Sequence, residues 1–246
     1  MRRSNHSLAG WLLACLIFSS AGTAHAVQCV KDIFSAGASF DSFTYDVENR
    51  FAGKSFSVNS RFGLALRAAW VVFCPNSNIE INTYAKLRMF RIESSDTENE
   101  LAGIRTDNIL PSFGFEFRKV SLFGFRRLEI PLDIELREDL GVSNGPMGIY
   151  QSERISNLKV AAGLRYYFLI NETQHLLGEI KLGPLLHLAD EDDGGIFEVS
   201  AEYYRKLTEA SSAQVRIYYE ELDMMSRGND IIGKNGGVRA SLVFRY

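Results

Sequence analysis

Apolar and polar residues alternate with a period of two in segment after segment of this chain, a period that builds strands and not amphipathic helices. The clearest segment is 128–136, where Leu128, Ile130, Leu132, Ile134 and Leu136 face one way and Glu129, Asp133 and Glu135 the other. Residues 157–170 set Leu158, Val160, Ala162, Leu164, Tyr166 and Phe168 against Lys159, Gly163 and Arg165. Residues 79–92 set Ile79, Ile81, Ala85, Leu87 and Met89 against Glu80, Asn82, Lys86 and Arg88. Segments 34–45, 61–73, 109–121, 175–189, 196–208, 213–224 and 236–246 follow the rule less cleanly. Together they predict about ten strands. Pro131 and Pro184 fall inside two of them and, lacking a ladder donor, are expected at bulges or strand ends.

The connectors alternate as well. They run long (46–60), short (74–78), long (93–108), short (122–125), long (139–156), short (171–174), medium (190–195), short (209–212) and long (225–235). The N-terminus carries Arg2 and Arg3, a short apolar run over 11–18, and Ala24-His25-Ala26, which predicts a cleavable export signal over 1–26. The run is shorter than the ~20 residues of a membrane-spanning helix. Leu12-Leu13-Ala14-Cys15 also looks like a loose lipobox, but cleavage there would leave little apolar run before Cys15. About 220 residues remain after the signal, enough for one large barrel or sandwich. Losing Arg2 and Arg3, with no acid in the segment, moves the formal net charge from −3 to about −5. That disfavours nucleic acid as a partner. There is no Walker loop, no dinucleotide glycine motif and no zinc-type spacing.

At the other end Val238, Ala240, Leu242, Phe244 and Tyr246 share one face of a last strand that stops on an aromatic. A terminal aromatic strand, an export signal and tight turns alternating with long loops together resemble the bacterial outer-membrane β-barrel proteins. The resemblance implies an all-β, closed up-and-down antiparallel transmembrane barrel of about ten strands, in a range of about 8–12. It divides the chain into the signal (1–26), a periplasmic tail (27–33) and the barrel (34–246). It also implies residence in the outer membrane of a Gram-negative bacterium. Lipid, lipopolysaccharide and the barrel-assembly machinery, which reads the terminal strand, are then the expected partners. An even strand number puts both termini and the short turns on the periplasmic side. Cys29 and Cys74, the two cysteines of the mature chain, would meet there in an oxidising compartment and are expected to pair as a disulfide.

Alternation alone leaves open which face lies inside. A lipocalin-like soluble barrel would bury the apolar face around a ligand; a membrane barrel turns it to lipid. Segment lengths above the ~9–11 residues of a membrane strand, aromatics near the periplasmic strand ends (Phe168, Phe244, Tyr246) and the loop alternation favour the membrane reading. The lumen would then be lined by Arg67, Lys86, Arg88, Glu116, Arg118 and Glu129. It would continue through Asp133, Glu135, Arg137, Lys159, Arg165 and Glu179 to Lys181, Glu198, Glu202, Arg216, Glu220 and Arg239. Charges of both signs in a narrow space must pair or stay hydrated. Two functions remain open: a salt-bridged interior in a structural or surface-interaction protein, and a narrow channel for small polar solutes.

Catalytic chemistry has little to stand on, and no enzyme activity, cofactor or metal is expected. His175 reads as a turn residue. His187 precedes Asp190, Glu191, Asp192 and Asp193, and a histidine beside acids at the outer rim resembles the omptin proteases in residue type and place, though no motif matches position by position. A surface hydrolase built on His187 and the 190–193 acids is the alternative. No His-x-Ser element supports acyl transfer, the acidic tract lacks the spacing of a Ca²⁺ loop, and Asn171-Glu172-Thr173 is a glycosylation sequon by chance.

Overall fold

The computed structural model describes residues 30–49, 54–74, 78–94, 107–119, 127–144, 150–188, 194–226 and 229–245. The predicted signal over 1–26, Cys29, the acids 190–193 and Tyr246 lie outside the described residues. Ten long strands and one two-residue strand form a single antiparallel sheet. They are β1 (Val30–Asn49), β2 (Lys54–Cys74), β3 (Ile79–Arg91), β4 (Glu93–Ser94), β5 (Asp107–Lys119) and β6 (Leu128–Asn144). Then follow β7 (Tyr150–Ile170), β8 (Gln174–His187), β9 (Gly194–Lys206), β10 (Ser211–Ser226) and β11 (Asn229–Arg245). Each long strand pairs with its neighbour in sequence, β5 following β3. β1 pairs with both β2 and β11, which closes the barrel and leaves no free edge along the ring. Val30 and Arg245 lie at the same end as the turns after β2, β5, β7 and β9, called here the termini end. The first of these turns holds Asn78 at φ 51°, a left-handed conformation that asparagine tolerates.

The polar face is inside. Phe40, Leu66, Trp70, Phe113, Leu164, Phe168, Ile217 and Leu242 are exposed around the outer wall, while Glu116, Asp133, Lys159, Arg165 and Lys181 are buried. On β7 the apolar outer face runs from Leu158 to Phe168. Eleven residues at ~3.3 Å each, tilted ~45°, give a band about 25 Å tall, the height of a lipid-facing belt. The apolar face being outward removes the lipocalin-like alternative.

Two expectations need correcting. The long connectors 46–60, 139–156 and 225–235 are mostly strand: β1 runs to Asn49 and β2 starts at Lys54, Asn144 pairs with Tyr150, and Ser226 pairs with Asn229. They resemble loops because the pattern inverts there. Beyond the lipid-facing band the outward residues are polar (Asp46, Glu48, Asp223, Lys234) and the inward ones apolar (Tyr45, Val47, Leu222, Met224, Ile231). Pro131 and Pro184 sit at neither bulges nor strand ends. The ladder from β6 to β7 pairs Glu129 with Arg165, skips Pro131, and resumes in the same register at Leu132 and Ala162. Pro184 is skipped likewise between the Lys159–Leu185 and Ala162–Leu182 pairs. A missing donor opens the ladder locally; it does not force a shift. The register shifts among the described residues lie elsewhere, between Val30 and Asp32 and between Asp41 and Phe43 on the β1–β2 ladder, and between Tyr167 and Leu169 on the β7–β8 ladder.

Candidate functional site: a two-tier barrel interior

All eighteen charged residues assigned to the lumen from the sequence lie on the inward face of their strands, and most are joined in one ion lattice. Nearest the termini end, Arg118 pairs with Glu80 and stands 2.9 Å from Glu116. Arg165 binds Glu179 and reaches Glu116 at 3.3 Å and Glu129 at 3.5 Å. Arg216 holds Glu179 at 2.8 Å, with Glu202 at 3.9 Å. At mid-barrel Lys181 contacts Glu116 at 2.5 Å and Asp133 at 3.4 Å. Lys159 contacts Asp133 at 2.8 Å and Glu135 at 3.2 Å and also pairs with Glu198. Buried charges persist only when matched in this way, and removing one partner strands the other.

The lattice reaches across the barrel at its upper edge. Arg137 on β6 donates two hydrogen bonds to Glu220 on β10, at 2.9 and 2.8 Å, and binds Asp139 as well. Asp139 also accepts from Arg88 at 2.9 Å and from Asn157 at 3.0 Å. Tyr84 lies over Gly114, where an added Cβ would stand 2.6 Å from the tyrosine, and donates to Asp133 at 2.7 Å. Gly114 is directly opposite Tyr84 in the ladder, so only glycine leaves room for that reach.

Above Arg137 the interior changes character. Phe43, Tyr45, Val47, Val58, Phe90, Ile92, Leu110, Leu140, Val142, Leu185, Ile196, Leu222, Met224 and Ile231 form one buried apolar cluster across the far end. The ring of Phe43 stacks on Phe90 with centroids 4.5 Å apart. Part of this tier comes from a strand that leaves the wall. The β5–β6 ladder stops at Ser112 and Arg137, whereas the β6–β7 ladder continues to Asn144 and Tyr150. Consecutive residues Asp139 and Leu140 are 0% and 1% exposed, and Val142 is 0%, so both faces of β6 are covered here. The Asn229 side chain, at the start of β11 on the opposite wall, donates to the Val142 carbonyl at 2.9 Å. The β6–β7 hairpin therefore bends inward over the far mouth and is fastened on the other side.

Free space within the charged tier is small. A cavity of about 70 Å³ lies at mid-barrel, lined by Arg67, Lys86, Arg216, Arg239, Tyr84 and Tyr218 and by lattice carboxylates with the Lys159 and Lys181 that bind them. A small-molecule site takes roughly 300–1,000 Å³. Exposure rises toward the termini end: Arg88 and Asp139 are 1% and 0% exposed, against 16% and 12% for Arg216 and Glu202. The lattice is therefore more accessible to solvent toward the termini end.

Val238, Ala240, Leu242 and Phe244 face outward on β11, pairing with β1 and β10. Cys74 is buried at the end of β2. His175 lies at the β7–β8 turn, its Nε2 3.0 Å from the Asn171 carbonyl and its ring stacked on Tyr204. His187 ends β8 on the inward face. Asp41, Tyr84, Asp139, Asn157 and Tyr218 are among the polar members of the interior that the lumen residues named from the sequence left out.

No protein-family profile matches the chain, and no curated protein sequence does. The outer membrane protease OmpT from Escherichia coli has a similar structure, with TM-score 0.52 and 11% identity over 92% of this chain and 99% of that one. An outer membrane channel from Pseudomonas putida F1 gives TM-score 0.48 and 12% identity over 92% and 99%. The translocator domain of the autotransporter NalP from Neisseria meningitidis gives 0.44 and 11% over 97% and 95%. The fold is that of the bacterial outer-membrane β-barrels.

Proposed function

We propose that this outer-membrane-type barrel resides in the outer membrane as a closed, non-conducting barrel, serving as a structural and surface-presenting protein. The observation that carries this reading is the apolar tier across the far end, reinforced by the inward-bent β6–β7 hairpin. A passive channel needs a continuous hydrated path, and buried Leu, Val, Ile and Phe side chains exclude water. The inverted pattern fits the same orientation: strands that pass beyond the lipid carry a polar outer face and an apolar inner one, with the termini end in the periplasm. The Asp46 carboxylate accepts from Ser57 at 2.6 Å and from Lys234 at 2.9 Å on this outer face. Hairpin strands that extend beyond the lipid-facing band offer a surface to lipopolysaccharide or to an external partner. The last strand is the segment the assembly machinery would engage.

The test is planar-bilayer recording on folded protein. A closed barrel gives no steps at physiological salt, and regular single-channel steps from heat-modifiable, folded protein would refute the reading. A Cys29–Cys74 bridge belongs to the same proposal, because Val30 pairs with Phe73 and the two cysteines adjoin that pair in sequence. Mass spectrometry without reductant should find both thiols protected from alkylation, and free thiols in the folded protein would remove the bridge.

A further inference from the structure

The ion lattice resolves its like-charge neighbours in one sector and leaves them unresolved in another. Across the ladders two acids face acids: Glu116 is directly opposite Asp133, and Glu198 opposite Glu220. Lys181 contacts both members of the first pair, while Lys159 and Arg137 meet those of the second. Two cations also face cations: Arg67 is directly opposite Lys86, and Arg216 opposite Arg239. Like charges in directly opposed positions repel, and these four line the same cavity. Arg216 is matched by Glu179. Among the described residues no carboxylate lies within ion-pair distance of Arg67, Lys86 or Arg239.

What these three cations have instead is weak. Arg67 lies 4.6 Å from the centroid of Tyr84 and Lys86 5.6 Å from that of Tyr218. The two hydroxyls donate to Asp133 and Asp41, so each carboxylate is held by a tyrosine and not by these cations. The Nε of Arg239 is buried without a hydrogen-bond partner. The carboxylates of the opposite wall are engaged by Lys159, Lys181 and Arg137 and not by these three cations. Arginine does not shed its proton, so an anion from solution is the ligand that would give these three cations a direct ion partner. The cavity's 70 Å³ holds on the order of five water-sized groups, about the size of one tetrahedral oxyanion.

We propose that this cavity is a binding site for a small tetrahedral oxyanion of the phosphate class, entering from the termini end. The guanidiniums of Arg67 and Arg239 supply forked donors, which suit phosphate oxygens, and Lys86 supplies a point charge. The anion bridges the Arg67–Lys86 pair to Arg239 as Lys181 bridges Glu116 to Asp133. The site requires only access from the termini end and does not depend on whether the far end conducts.

Calorimetric titration of inorganic phosphate into the folded, detergent-solubilised protein tests this, with chloride holding the ionic strength constant and acetate as a planar control. The expected result is one site per barrel, about tenfold weaker or worse in Arg67→Gln and in Lys86→Gln, and unchanged in Arg154→Gln, an exposed position. Heat-modifiable migration selects folded variants; should Arg67→Gln not fold, Lys86→Gln and the parent decide. No phosphate binding in the parent, equal binding of acetate, or unaltered binding in the folded variants overturns the proposal. Because binding is read in detergent and closure in a bilayer, either can fail while the other stands.

Discussion

The two tiers of the barrel interior solve the same problem, filling a narrow cylinder, with opposite chemistry. The tier toward the termini end is held by directional pairs such as Arg165–Glu179 and Lys159–Asp133, each worth little unless its partner is present. The far tier is held by non-directional contact among side chains such as Leu110, Val142 and Ile231. The outer wall reverses at a similar height, from lipid-facing Phe40 to water-facing Asp46 on β1. In this barrel the filling within changes at about the height where the solvent around it changes. The charged tier suits passage or binding of ions; the apolar tier suits closure.

Substitutions should separate the tiers, and the effects rank as follows in urea unfolding of the folded protein in lipid vesicles. Arg137→Met strands Glu220 and loosens Asp139 in a buried site and should cost about 4 kcal/mol. Leu140→Ala removes apolar volume from the far tier and should cost about 3 kcal/mol. If Arg137→Met proves milder than Leu140→Ala, the charged tier is wetter than its burial indicates and the contrast weakens. Asn229→Ala removes only the donor to Val142 and should cost about 1–2 kcal/mol, with faster amide exchange confined to the β6–β7 hairpin. Arg154→Ala breaks a half-exposed pair with Glu138 (3.5 Å) and should fall within about 0.5 kcal/mol of the parent. A large loss there would mean the hairpin is fastened from outside as well.

The lower tier was legible because its grammar is simple: apolar residues out, charges in, as at 128–136 and 157–170. Tyr84 and Tyr218 follow the parity of Lys86 and Arg216, but being aromatic they were not counted among the polar lumen residues. The far tier was illegible for a physical reason. Segments such as 46–60 and 225–235 keep the period of two but exchange the roles of the faces, so their outward Asp, Glu and Lys read as loop. Asp139 was lost the same way, although it continues the series Asp133, Glu135, Arg137. Which carboxylate meets which cation, and that β6 leaves the wall after Arg137, depend on residues far apart in sequence. No local pattern carries them.

Closure by the apolar tier is most directly tested by thiol accessibility in oriented vesicles, with Cys29 and Cys74 replaced by serine. Glu202→Cys and Met224→Cys place probes on the inward face in the charged and apolar tiers. A small charged methanethiosulfonate reagent should label Glu202→Cys from the termini end and leave Met224→Cys unlabelled from either side. Labelling of Met224→Cys from the far side at a rate like that of Glu202→Cys from the termini end would contradict the closed barrel.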